Sequence, residues 1–188
     1  AFNEETPDWL SFFMFTYFTD RDGKMQLESL AQSGFDPLSR TCRFMLTEEA
    51  HHMFVGETGV GRTIQATAEA MNKAGITDPY DINAIRDLGV IDLPTIQKKL
   101  NLHYSLSLDL FGQEVSTNAA NAFNAGIKGR YMEHRLEDDH KLSNDTYNVK
   151  MIKDNHIITE QMPALNAINM RLRDDYVNDA SGGLNRWN

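Results

Sequence analysis

The chain has 188 residues, with 18 Lys and Arg against 27 Asp and Glu, a formal charge of −9, 41% hydrophobic residues and one cysteine. That is long enough for one domain with its own core, too acidic for a basic phosphate-binding face, and too poor in cysteine for a disulfide framework or an all-cysteine zinc site. The longest apolar run, Trp9 to Phe18, is interrupted by Ser11 and Thr16 and falls short of the ~20 residues that span a bilayer; with no signal-peptide pattern, the expected setting is the reducing cytoplasm, with neither nucleic acid nor membrane as partner.

The pattern predicts a mainly α chain, helical over 7–142, with a hairpin near 146–160 and a last helix over 163–178, all in a single domain spanning 1–188. Thr6-Pro7-Asp8 opens the first helix, with Thr6 as cap, and Ser33-Gly34 stops it. Asp36-Pro37 opens the second, with Asp36 as cap. Its apolar positions Cys42, Met45, Leu46, Met53 and Phe54 share one face at a period near 3.6. Glycines at 56, 59 and 61 either bend or break this helix or let a neighbour approach. A linker with Gly75, Pro79 and Asp81 follows. Leu93-Pro94-Thr95 starts a helical stretch expected to reach about residue 125, and residues 130 to 140 read as helix again. Tyr147–Ile152 and His156–Thr159 flank a polar Lys153-Asp154-Asn155 turn. Ser181-Gly182-Gly183 reads as loop, and both ends read as cut rather than finished.

The strongest chemical signal is Glu49-x-x-His52. Residues three apart lie on one helix face, so a carboxylate and an imidazole can reach one metal. In carboxylate-bridged di-iron bundles, two such pairs are joined by one carboxylate from each of two further helices. Reflecting residue 49 through the turn near residues 34 and 35 lands on Asp20, where an antiparallel partner helix would present it. Asp20 lies in Thr19-Asp20-Arg21-Asp22, a polar break after the aromatic run that contains Phe12, Phe13, Phe15 and Phe18. The bland reading of that break is a polar helix end. A second candidate set is Glu137-x-x-His140 with Asp109 before it, at nearly the Asp20-to-Glu49 interval. Spacing alone therefore allows a self-contained site of Asp20, Glu49, His52, Asp109, Glu137 and His140; the bland reading of Glu137–His140 is an acidic, solvated helix end.

Other motifs fail on their decisive residue. Gly56–Thr63 approaches a phosphate-binding loop, but Arg62 stands where the lysine belongs and no strand precedes it. Asp20–Gly23 resembles a calcium loop, yet Phe18 and Ser29 occupy positions that need carboxylates. Cys42 reads as a small buried hydrophobe, and there is no G-x-S-x-G.

Thr6–Phe15, Thr19–Lys24 and Leu46–His52, together with Gly89–Thr95, Asp138–Leu142 and Arg171–Asp175, resemble the oxygenase components (component B) of benzoyl-CoA 2,3-epoxidases. The resemblance covers essentially this whole chain but only a piece, from the middle and second half, of the considerably longer family members. It implies part of a ferritin-like helical bundle within a di-iron monooxygenase. That enzyme would epoxidise the ring of benzoyl-CoA with O2 in aerobic benzoate degradation, using electrons from NADPH delivered by a separate flavin and iron–sulfur reductase. Carried over, Asp20, Glu49 and His52 match the ligands of one iron, and the other iron's ligands come from helices before residue 1. Glu48 becomes a candidate acceptor for the histidine of that other half. The four phenylalanines would line a dry pocket, each also readable as plain core, and Glu137 and His140 become a surface feature. The piece alone is expected to be inactive. The sequence marks no site for the nucleotide phosphates of CoA; Arg130, Arg171 and Arg173 are the contributors it offers. Two other readings stay open: a self-contained ferritin-like di-iron oxidase or iron-storage relative, and a non-catalytic helical module that binds a partner.

Overall fold

The computed structural model describes residues 5–111 and 146–188. Within them lie five helices, α1 (Trp9–Leu30), α2 (Asp36–Ala74), α3 (Ile82–Asp87), α4 (Leu93–Asp109) and α5 (Ala164–Trp187), and two strands, β1 (Thr146–Lys153) and β2 (His156–Pro163). The expectations of a mainly α chain and a small hairpin both hold. The helical stretches expected between 112 and 142 lie outside the described residues.

The cap of α1 is Asp8 rather than Thr6. Its carboxylate accepts from the Ser11 N–H at 2.8 Å and pairs with Lys99 of α4 at 2.8 Å. A charged acceptor with a second partner wins over a neutral hydroxyl for the exposed N–H groups of the first turn. On α2 the cap position falls to Phe35, which brings no side-chain hydrogen bond, and Asp36 becomes the first helical residue, favourable to the helix dipole.

The buried face of α2 follows Cys42, Leu46, Glu49, Met53, Gly56, Val60, Thr63 and Thr67. The intervals alternate four and three, the spacing of a packed helix seam. Met45 and Phe54, expected on that face, are exposed at 38% and 66%, because a seam this narrow excludes their neighbouring positions. The helix runs unbroken through all three glycines. A Cβ on Gly56 would stand 2.6 Å from the Tyr17 backbone nitrogen, and one on Gly59 2.3 Å from the Phe13 ring. These glycines bring α1 and α2 into close approach instead of bending the helix.

Helix α1 is the centre of the bundle, touched by α2, α4 and α5. Met14, Tyr17, Phe18 and Met25 are buried with Val60, Ile96, Phe111 and Tyr176 in one core cluster. Two tyrosines fasten α1 to α5 reciprocally: Tyr17 donates to the Ala180 carbonyl at 3.0 Å and Tyr176 donates to the Phe18 carbonyl at 3.1 Å. Arg21 pairs with Asp179 at 2.7 Å and lies 4.3 Å over the Tyr17 ring. Ser181-Gly182-Gly183 is helical, against the loop expected there. A Cβ on Gly183 would meet the Tyr17 hydroxyl at 1.9 Å, so the small residue seats α5 on α1. Trp187 beyond it packs on Tyr17 at 4.7 Å. Tertiary contact thus overrides the low helix propensity of two glycines.

The segment expected as linker contains the short α3, capped by Asp81. Asp92 caps α4 through the Thr95 N–H at 2.8 Å. The hairpin turns at Asp154 and Asn155, both at positive φ (51° and 63°), the backbone that a two-residue turn of this hand requires and that Asp and Asn tolerate. Lys153 pairs with His156 and Met151 with Ile158. Among the described residues, no helix is long and apolar enough to cross a membrane.

Candidate metal centre

Asp20 sits past the middle of α1 and Glu49 and His52 on α2, and the antiparallel packing of the two helices brings them together. One ligand atom from each lies within 4.8 Å of the others. His52 Nδ1 is 3.7 Å from Asp20 Oδ2 and 3.7 Å from Glu49 Oε2. Those distances are too long for hydrogen bonds. The three donors converge on a common point without satisfying one another.

The electrostatics agree with that geometry. Burial, and then the neighbouring Glu49 carboxylate, push the Asp20 carboxyl up to about 6, while His52 works in the other direction. Glu49 is on the buried seam, and its Oε2 is enclosed with no hydrogen-bond partner. A carboxylate left this way costs free energy unless a cation or proton meets it. Two carboxylates and an imidazole, with one carboxylate oxygen unanswered, suit a divalent transition metal of the iron type, which takes oxygen and imidazole donors together. His52 is half exposed, whereas the side chains of Asp20 and Glu49 are largely covered, at 24% and 17%.

The other expected residues fall elsewhere. Glu48 is exposed and makes no hydrogen bond or ion pair with a described residue. Asp109 is buried at the end of α4 and is not part of the cluster, while Glu137 and His140 lie outside the described residues. Phe18 is fully buried core and Phe13 packs against that core, whereas Phe12 is 40% exposed. Plain packing therefore accounts for Phe13 and Phe18. Gly56–Thr63 lies wholly inside α2, where its backbone N–H groups are spent on the helix and cannot cradle a phosphate. Asp20–Gly23 is likewise helical, not a calcium loop.

Two residues of the polar break escaped the sequence reading. Arg21 and Asp22 are both buried. Asp22 accepts from Gln26 at 3.0 Å, and burial pushes its carboxyl up to about 6. The available signal was their setting: four consecutive polar residues inside an aromatic helix point in four directions, and a central helix has no solvated side to receive them all.

No protein-family model matches the chain. The resemblance carried by Leu46–His52 and its companion segments extends along the whole chain, which is 58% identical over its 188 residues to the benzoyl-CoA oxygenase component B of Aromatoleum evansii and spans 39% of that protein's length.

Proposed function

We propose that this chain supplies one iron's ligands, Asp20, Glu49 and His52, to the di-iron centre of a benzoyl-CoA 2,3-epoxidase oxygenase component, and forms a single unit of its larger ferritin-like bundle. The convergence of those three side chains from two antiparallel helices is the observation that carries the reading. It is the arrangement that a carboxylate from one helix and a Glu-x-x-His pair from the next produce in such bundles. The strong similarity to a named benzoyl-CoA oxygenase component supports the substrate.

When bound, the irons would supply the redox chemistry of O2 cleavage: one oxygen atom adds across the 2,3 bond of the ring and the other leaves as water, with two protons and two electrons. The electrons come from NADPH through a separate flavin and iron–sulfur reductase in the cytoplasm. The chain's own residues do the holding. Asp20 and Glu49 bring negative charge to a half-buried site, where opposite charge is held more strongly than in water. His52 completes the donor set from the exposed side, where ligands from the rest of the polypeptide can join it.

The test is elemental analysis of the full-length polypeptide and of this chain, each purified without chelators. Full-length protein is expected to hold two irons and, with its reductase, to convert benzoyl-CoA to the 2,3-epoxide. This chain alone is expected to retain little iron and to show no turnover. Two irons on this chain alone would overturn the reading in favour of a self-contained site.

A further inference from the structure

Among the described residues, four polar links join α1 to α5. Tyr17 donates to the Ala180 carbonyl at 3.0 Å, and Tyr176 donates to the Phe18 carbonyl at 3.1 Å. One oxygen of Asp179, Oδ2, meets both Arg21 at 2.7 Å and Lys24 at 3.3 Å. On α5 the three residues form one stripe at helical spacing. On α1 the links fall on a single stretch: Tyr17 and Phe18 just before Asp20, Arg21 and Lys24 just after it. The helix that supplies none of the three convergent donors therefore grips α1 at the turn that carries one of them.

Stability alone does not call for a charge there. Arg21 is buried, and its guanidinium rests on the Tyr17 ring at 4.3 Å. Apolar residues of similar volume would fill such a space without the cost of taking a charge out of water. What the ion pair adds is direction. A guanidinium and a carboxylate bond along fixed N–H and lone-pair lines, whereas apolar contact lets one helix turn or slide against another. Asp20 lies about 100° round the helix from Arg21 and reaches Glu49 and His52 on α2. A small turn of α1 about its axis would move that carboxylate away from its companions. We infer that Asp179 is a positioning residue for the metal centre: through Arg21, with Lys24 beside it, Asp179 fixes the turn of α1 that presents Asp20 to Glu49 and His52. This role depends on the reading above and extends that site to a helix remote in the chain.

The test titrates the full-length oxygenase component, stripped of metal, with Co2+. Cobalt binds oxygen and imidazole donors at least as well as ferrous iron, and its visible bands report the arrangement of its ligands. Asp20→Asn identifies the part of the signal that depends on this site. Asp179→Asn keeps the shape of the side chain and removes its charge. It is expected to weaken that part of Co2+ binding about 10-fold, the lower end of what loss of an outer partner costs, and to alter the bands of the fully loaded protein. Arg21→Met is expected to do the same, and adding Asp179→Asn to it to change the affinity by less than about twofold, since both remove one link. Asp179→Glu is expected to restore most of the affinity. Arg186→Gln breaks the ion pair of α5 with Glu57 of α2 and is expected to leave affinity and bands unchanged. Should Asp179→Asn not fold, Arg21→Lys, which keeps the charge and loses the planar fork, is read in its place. A link that serves stability alone leaves the bands of the loaded, folded variant unchanged, and that result overturns the inference. So does a full additional loss in the double variant, or an equal loss in Arg186→Gln. A parent protein that binds no Co2+, or whose bands ignore Asp20→Asn, overturns the reading above as well; Asp20-dependent bands with an indifferent Asp179→Asn overturn this inference alone.

Discussion

Gly56 of α2 lies against the Tyr17 peptide of α1 so closely that a Cβ would stand 2.6 Å from the Tyr17 nitrogen and 2.7 Å from the Phe13 carbonyl oxygen. Both neighbours are backbone and cannot rotate away. Gly56→Ala is therefore expected to push the two helices apart and cost about 1–3 kcal/mol, the usual range for overpacking. Gly61→Ala on the same helix meets only ordinary contacts with Trp187 at 3.5 Å and 3.6 Å. It is expected to be neutral or to gain up to about 1 kcal/mol from helix propensity. Urea unfolding of the two variants beside the parent measures the contrast.

The same helix pair sets Asp20 against Glu49. Asp20→Asn removes one of two crowded negative charges, so the metal-free protein is expected to gain about 1 kcal/mol. The same change removes a proposed ligand, so iron bound by the full-length protein is expected to fall. Thermal midpoints with and without chelator show the crossing: the variant is the more stable protein when stripped and the less stable when loaded with iron. A variant that loses stability in both states would argue that Asp20 is structural.

His52→Ala provides the complementary case. Its imidazole is half exposed and makes no hydrogen bond with the two carboxylates, so folding stability is expected to change by less than about 0.5 kcal/mol, as for surface substitutions generally. Iron content per polypeptide is expected to drop with little change in circular dichroism.

At Asp92 burial acts to raise the carboxyl, but hydrogen bonds from Arg86 and from Thr95 outweigh it and hold the group below its usual value of 3.8. A lowered folded value means stability that is present above 3.8 and lost as pH falls through the folded value. Asp92→Ala, which also deletes the cap of α4, is expected to cost about 1–2 kcal/mol at neutral pH. The gap between parent and variant is expected to hold from pH 7 to about 5 and to narrow in acid. Urea titrations across that range measure it.

How much could be read from sequence follows from what each feature depends on. Asp20, Glu49 and His52 were legible because helical spacing and a short turn between two long helices are local properties, and reflection through that turn predicts their meeting. The start of α4 at Leu93-Pro94-Thr95 was legible for the same reason, although its cap, Asp92, was not picked out. The caps moved by two residues at α1 because Lys99, far along the chain, reinforces Asp8. Ser181–Gly183 was read as loop because glycine is a poor helix former, and only the Tyr17 hydroxyl beside Gly183 shows why a glycine is required in that helix. Arg21 and Asp22 were missed because the polar run shows only that some of its side chains must be buried; which ones is decided by tertiary packing, as where Arg21 meets Asp179 of α5.

The reciprocal tyrosine bonds between α1 and α5 have a consequence for biosynthesis. Each joins residues 158 or 163 positions apart, so neither can form until nearly all of this chain has left the ribosome. The three convergent donors of the proposed metal centre, by contrast, lie between residues 20 and 52 on neighbouring helices whose contact is local and quick to form. The carboxylates thus meet while α5 is still unmade. During that interval the nascent helix pair is an open, acidic hairpin, able to take up a proton or an ion before the bundle is closed over α1.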